Sequence, residues 1–476
     1  MINKKERPSK NISPKKNAFQ TTKSFSLINK EKSKKFAIYI FFQKIFLIII
    51  LLFISHFIRI NNSFNDFNFS FSKQKKNQIK VAFYNNCIRY GGIERVTSIL
   101  LKYFSKEKNF IFYLITISFI LKDEYSIPNN IRRITLGNKK NRLFGVIERE
   151  KIDILIYNYD DKGQIEKLNK WNKIKVIYCT HSSFFYRIYS NLYNLEKTVY
   201  QVYKSCKYVI TLIPLENDYL FKKWGINSIL MENPSTFEYE AVIPSDLSQK
   251  NIIMMGRGDY FAKRFELGIL AMKNIVQEIP YCKMNIISFP YKNLEEAIYN
   301  LNLEKNIKIT GFQKNPEPYL KNSSLHIFPS LSEAYPMVLA EVKIFGLPTI
   351  LCGLDYITLA KGGTIIIYDD NPDTIAKEAI KILKDDKYRK KLGQEARESM
   401  KVHKNDLIVK KWIKILVSIY KGIDKSSFST LFMDVNKKIT EKEADIILNN
   451  QLNLLQKRKP NLKGLTIEKL KAFSLE

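Results

Sequence analysis

The chain has 476 residues, 45% hydrophobic and 13% aromatic, more than one typical domain needs and enough to build two cores with appendages. Its formal net charge of +32 raises the question of a nucleic-acid partner, yet residues 1–35 alone hold eleven Lys and Arg against two Asp and Glu. Elsewhere the excess is dilute and mostly lysine, with no arginine cluster interleaved with aromatic residues, which argues against nucleic acid and for a solvated basic surface or attraction to anionic lipid and phosphate-bearing substrates.

The N-terminal segments come first in the chain. Residues 1–35 read as a basic cytosolic tail and 36–60 as a transmembrane signal anchor. "FAIYIFFQKIFLIIILLFISHFI", Phe36 to Ile58, would be about 34 Å long as a helix, against a bilayer core of about 30 Å. Lys44 would have to snorkel toward the near surface. The competing reading is an interfacial helix starting at Ile45, which would leave the rest of the chain on the cytosolic face. No small-x-small site follows the apolar run, so a cleaved signal is disfavoured. Lys23, Lys30, Lys32, Lys34 and Lys35 precede it, against Arg59 and Lys73 after it. That asymmetry predicts a cytosolic N-terminus and a single-pass type II membrane protein, facing the ER or Golgi lumen of the secretory pathway if the source is eukaryotic. Residues 61–79 form a Ser/Asn/Phe-rich stem with sequons at Asn61 and Asn68.

From Lys80 short apolar runs alternate with helical spacing, the pattern of βαβ units and parallel sheets. The strands predicted for an N-terminal domain over 80–232 are "KVAFYN", "FIFYLITI", "RRITL", "DILIYN", "KVIYCT" and "YVITLI". "NPSTFEYEAVIPSDLSQK", residues 233–250, has two prolines and no helical period and reads as a linker. A second domain over 251–422 is predicted from "NIIMMG", "KMNIIS", "IKITGF", "LHIFPS", "PTILCG" and "TIIIYD", with helical spacing from Asp373 to about Lys421. Residues 423–476 read as a helical extension. The fold class is therefore α/β, two doubly wound Rossmann-like domains facing a cleft, with ligands at the carboxyl ends of the strands. Cys87, Cys179, Cys206, Cys282 and Cys352 show neither C-x-x-C spacing nor a histidine at ligand distance. They are expected as buried thiols; one bridge remains open.

The chemistry concentrates in "SEAYPMVLAEVKIFGLP", Ser332 to Pro348. Pro336 suits the first turn of a helix, which puts Glu333 in the loop before it and Glu341 on it. The free amides of Met337 and Val338 then make an anion site between two hydroxyl-binding carboxylates. A nucleotide sugar presents those groups in that order: sugar hydroxyls, diphosphate, ribose hydroxyls. A single Glu near a helix start is more commonly a dipole partner than a ligand, so companions matter. "GRGDYFAKR" places Arg257 and Lys263 in a loop after a strand, able to converge on one diphosphate. "YGGIERV" supplies Gly91 and Gly92, whose missing side chains let backbone approach a ligand.

These segments, "GGIERVTSILLKYF", "MMGRGDYFAKRFELGILAM", "IKITGF" and "SEAYPMVLAEVKIFGLPTIL", stand in the order found in the retaining glycosyltransferases of family 4, also called group 1, which the chain resembles over about residues 80–420. The resemblance implies a GT-B fold and a nucleotide-sugar donor, with no cofactor and no metal. Arg257 and Lys263 would neutralise the leaving diphosphate, Glu341 would bind ribose hydroxyls, and Glu333 would contact the donor sugar. Met337 and Val338 would hold the phosphate through their amides. His181, after the strand "KVIYCT", matches the histidine that the family places near the transferred sugar; without the family, a lone His there reads as structural. The chain departs from the family at Arg264, which replaces a glycine and is expected to narrow the loop. It departs again at "CGLDYITLAKGG", which replaces a Gly-Gly-rich stretch. The expected function is a membrane-anchored glycosyltransferase, hexosyltransferase-like and acting on a glycan or lipid-linked acceptor. The alternative is a catalytically inactive, membrane-tethered carbohydrate- or nucleotide-binding protein of the same fold; it would be marked by loss of a phosphate-binding cation or of an acid of the pair, and neither is lost. A phosphorylase with a pyridoxal cofactor would need a cofactor-lysine segment that is not found.

Overall fold

The computed structural model describes residues 78–422 apart from positions 160, 185–186, 188–194, 259 and 291, together with scattered positions between 440 and 453. The tail, the apolar segment and nearly all of the stem expected before residue 80 lie outside the described residues, as does most of the 423–476 extension. Among the described residues no helix is long and apolar enough to cross a membrane.

Two parallel sheets organise the fold. The first runs β3-β2-β1-β4-β5-β6-β7, from β1 (Ile79–Asn85), β2 (Phe110–Thr116), β3 (Arg132–Thr135), β4 (Ile154–Tyr157), β5 (Lys175–Cys179), β6 (Tyr208–Thr211) and β7 (Ile229–Leu230). The second runs β10-β9-β8-β11-β12-β13, from β8 (Asn251–Met255), β9 (Lys283–Ile287), β10 (Ile307–Ile309), β11 (Leu325–Phe328), β12 (Thr349–Cys352) and β13 (Thr364–Ile367). Each predicted strand forms, and the two-residue β7 is an addition. The strands are near-continuous apolar runs because both faces are covered. On β1, Val81 and Phe83 join one apolar cluster while Ala82 and Tyr84 join another, the alternation that a pleated strand imposes.

In both sheets the strand order reverses at a pair that neighbours in space but not in sequence: β1 beside β4, and β8 beside β11. Crossovers leave those pairs in opposite directions, so a crevice opens at their carboxyl ends. Three helices matter for what lies there: α1 (Gly92–Phe104) after β1, α2 (Phe265–Glu278) after β8, and α3 (Met337–Ile344) after β11.

The second lobe ends with α4 (Pro372–Lys384) and α5 (Asp386–Ser399), which pack on its own helices. The helix after them, α6 (Asn405–Tyr420), does not follow them. Its Ile408, Trp412, Ile415 and Ile419, a stripe at helical spacing, are buried in the cluster formed by Val81, Phe83, Leu100 and Phe104 of the first lobe. Lys175 at the start of β5 donates to the Tyr420 carbonyl at 2.6 Å. The second lobe, expected over 251–422, therefore gives up its final helix to the first. Periodicity reports that a helix has an apolar face and not which sheet covers it.

Candidate functional site

The crevices of the two sheets face each other across one cavity of about 390 Å³. Gly91, Gly92 and His181 line it from the first lobe; Arg257, Lys263, Glu333, Met337, Val338 and Glu341 line it from the second. All nine residues singled out from the sequence meet in this one space.

Local geometry explains how. The chain leaves β1 through Tyr90, which adopts φ +61°, and Gly91, which is extended. A Cβ on Gly92 would stand 3.9 Å from Cγ of Met337 in the opposite lobe. That is ordinary van der Waals contact, so the second glycine brings α1 and α3 close without itself being required by crowding or by an unusual backbone angle.

On the other side, Pro336 is the N-cap of α3 rather than a residue of its first turn, at φ −71° and ψ 111°. Its carbonyl accepts from Leu339 at 3.1 Å and Ala340 at 3.2 Å. The amides of Met337 and Val338, in the first turn, have no intrahelical acceptor, and both residues line the cavity. The helix closes at Gly346, φ +72°, with Leu347 N–H bonded to Val342 O and Gly346 N–H to Lys343 O.

Lys263 is ion-paired with Glu333, both largely shielded from solvent, and its ammonium lies 5.7 Å from the Phe328 ring centroid. The Glu333 amide donates to the Tyr356 hydroxyl at 3.3 Å. Arg257 acts electrostatically across the cavity on Glu94 of α1, whose pKa burial raises and Arg257 partly restores. Both cations thus have carboxylate company in this structure, which an arriving diphosphate would share or displace.

Glu341 is fully buried. Its Oε1 accepts from Arg95 Nη1 at 2.7 Å and from Thr236 Oγ1 at 2.5 Å, while Oε2 is buried with no hydrogen-bond partner. A carboxylate oxygen without a donor is costly to bury, and this one belongs to a residue that lines the cavity.

His181 is held by a polar chain at the ends of β1, β4 and β5. Its Nε2 lies 3.0 Å from Oδ1 of Asn158, whose amide nitrogen reaches Asn85 Oδ1 and Thr97 Oγ1, both at 3.3 Å. With the amide in that orientation Nε2 carries the proton and Nδ1 keeps its lone pair. Loss of hydration pushes the His181 pKa down to about 4. The imidazole is therefore neutral, and a hydrogen-bonding role replaces a charged one. His181→Ala is expected to lower turnover by about 10- to 100-fold, the worth of one or two hydrogen bonds, and the parent pH–rate profile should show no histidine limb between about pH 5 and 8. A limb lost in the variant would contradict this.

Arg264 does not narrow the loop. It sits at φ +49°, buried, with Nε on Pro329 O at 2.7 Å and its two terminal nitrogens on the Asp370 carboxylate at 2.7 and 3.1 Å. The backbone takes a left-handed angle where a glycine would be natural, and the bidentate ion pair draws the side chain behind the loop. Four contributors were not singled out from the sequence: Arg95, Thr236, Asn158 and Tyr356. Only Arg95 carried a usable signal, since it follows Gly92 by three residues and so shares its helix face.

The family profile described as glycosyl transferases group 1 matches residues 235–399. An uncharacterized glycosyltransferase of Methanocaldococcus jannaschii is 26% identical over 219 residues, 44% of this chain and 50% of that protein. An amylovoran biosynthesis glycosyltransferase of Erwinia amylovora is 25% identical over the same length, 44% of this chain and 61% of that one. The chain thus spans about half the length of the curated relatives it matches. Among solved structures, sucrose-phosphate synthase from Thermosynechococcus elongatus superposes with a TM-score of 0.60 at 15% identity, over 72% of this chain and 100% of that one. WaaG, a glycosyltransferase involved in lipopolysaccharide biosynthesis, does so with a TM-score of 0.56 at 15% identity, over 71% and 99%. Residues 235–399 are thus similar to the group 1 glycosyltransferases, and the two facing parallel sheets have the GT-B fold.

Proposed function

We propose that the protein transfers a sugar, with retention, from a nucleotide-sugar donor to a glycan or lipid-linked acceptor. The observation that supports this reading most is the assembly of Arg257, Lys263, the Met337 and Val338 amides, Glu333 and Glu341 around one cavity. Breaking the bond between the anomeric carbon and the diphosphate leaves growing negative charge on the departing oxygen. Two cations and a helix terminus, already placed, stabilise that charge more than they stabilise the intact donor, and this difference is what accelerates the step. Lys263 would turn from Glu333 to phosphate, freeing the Glu333 carboxylate for sugar hydroxyls. His181 would hold a further hydroxyl from the first lobe. Phe289 and Phe312, which line the same cavity with ring centroids 5.6 Å apart and an interplanar angle of 8°, would supply aromatic contact to the base.

Solved neighbours include an Anabaena protein, HepE, in complex with UDP and glucose, a ligand set of the kind this cavity would accept. The purified protein should release nucleoside diphosphate slowly from one member of a nucleotide-sugar panel, and faster with the right acceptor. Binding of a member without release of nucleoside diphosphate would return the inactive-binder alternative, and neither binding nor release would overturn the donor reading. Membrane anchorage through residues 36–60, with the catalytic lobes on the far side, belongs to the same proposal. The supporting feature is the flanking charge of that segment. Protease protection of the lobes in sealed vesicles tests it, and full accessibility from the cytosolic face would favour the interfacial reading.

A further inference from the structure

Arg95 and Glu341 belong to opposite lobes and are 246 positions apart, yet they form an ion pair at 2.7 Å with the carboxylate wholly buried. The guanidinium also lies over Tyr125, 5.4 Å from its ring centroid. The Glu341 charge raises the Arg95 pKa further, as the largest influence on it. The second donor to the same oxygen, Thr236, comes from the segment joining the lobes. That segment is itself anchored: Asn405 Oδ1 accepts from Ser235 N–H at 2.7 Å and Asn405 Nδ2 donates to Ser235 O at 3.0 Å. One oxygen of Glu341 is therefore saturated by the first lobe and the joining segment, and the other is buried with nothing to accept from.

We propose that Arg95 is a positioning residue: from the opposite lobe it holds the Glu341 carboxylate in one orientation, so that Oε2 is left for the vicinal hydroxyls of the donor's ribose. This rests on the donor reading above. Two consequences follow from the geometry. Without Arg95 the buried carboxylate loses its charge-assisted donor and is no longer held in one orientation. And because the counter-charge is on the other lobe, the grip on ribose is complete only when the lobes stand as they do here, so donor affinity and lobe closure are coupled. Arg95 acts through Glu341, which separates its role from that of the phosphate-neutralising pair Arg257 and Lys263.

The test measures binding rather than turnover, on the full chain in detergent, by calorimetric titration. The probes are UDP, GDP and ADP, the 2′,3′-dideoxy form of whichever binds, and inorganic pyrophosphate. Arg95→Ala is expected to weaken the nucleoside diphosphate by about 10- to 100-fold, the scale of lost charge-assisted hydrogen bonding, and to leave the dideoxy form and pyrophosphate unchanged. Thr236→Val should give a smaller loss of the same selectivity, and Arg95→Lys an intermediate one; these two carry the comparison if the alanine variant fails to fold. Equal weakening of all three probes would overturn the proposal, because Arg95 would then be a phosphate ligand or a structural strut. Unchanged binding of the nucleoside diphosphate would overturn it as well. If the parent protein binds none of the three nucleotides, the donor reading itself falls and takes this inference with it, a failure distinct from that of the variants.

Discussion

Lys263→Ala is expected to lower turnover by about 100- to 1,000-fold, the scale seen when one preorganised donor to a developing oxyanion is removed. The effect should fall on kcat more than on KM. Lys263 already has a partner in Glu333, so the ground-state gain from meeting the diphosphate is offset by breaking that ion pair. The charge on the departing oxygen grows only as the bond breaks, when the ammonium's attraction exceeds what it left behind. Arg257→Ala should behave alike, and the double variant should lose less than the product of the two, because both cations act on one group. Glu333→Gln provides the contrast. It frees Lys263 from its carboxylate, so nucleoside diphosphate should bind more tightly while turnover still falls through the lost sugar contact. Unchanged activity in both cation variants would remove the basis of the proposed reaction. Melting temperatures should be nearly the parent's, because the Lys263–Glu333 pair lies at a cavity lining rather than in a core.

The second large effect concerns stability and pH. Lys343, two residues after Glu341 on α3, is fully buried, and among the described residues no carboxylate pairs with its ammonium; it donates to the Lys361 and Gly362 carbonyls, the latter at 2.7 Å. Burial pushes its pKa down from 10.5 to about 7. The unfolded chain therefore binds more protons than the folded one between those two values. Stability contributed here rises with pH across that window, by up to about 1.4 kcal/mol per pH unit, and is flat below it. The whole protein's net charge also falls with rising pH, so the parent alone cannot isolate the effect. The comparison is with Lys343→Met, of similar length and without a charge to desolvate. The stability difference between parent and variant should shift in the parent's favour by a few kcal/mol from about pH 7 to 10, measured by denaturant unfolding. A difference independent of pH would mean that the ammonium keeps its ordinary proton affinity in the folded state. His403 stands nearby; burial lowers its pKa, the Glu232 charge opposes this, and Lys411 and Lys343 add to the lowering.

What the sequence determined by itself was local. A run such as "KVAFYN" can bury both faces only inside a covered parallel sheet, so strands could be placed from composition and period alone. The acids at Glu333 and Glu341, with a proline between them, mark a loop, a helix start and the helix body through backbone rules that hold in any protein. The cysteines followed the same logic. All five are free thiols, and all but the half-buried Cys87 are buried, because their neighbours are apolar.

Only the tertiary structure decided which groups face one another. That Glu341 takes its counter-charge from Arg95 depends on two helices in different lobes pointing at one cavity, a relation no spacing along the chain encodes. That Arg264 turns away from the ligand depends on Asp370, 106 positions later, arriving behind it. The return of α6 to the first lobe was hidden for the same reason, since Ile408 and Trp412 would be equally satisfied by any apolar surface of the right shape. Hydrophobic burial is non-directional and backbone propensity is short-ranged, so together they name the elements. The pairing of charges at 2.7 Å is directional and exists only once the elements have docked.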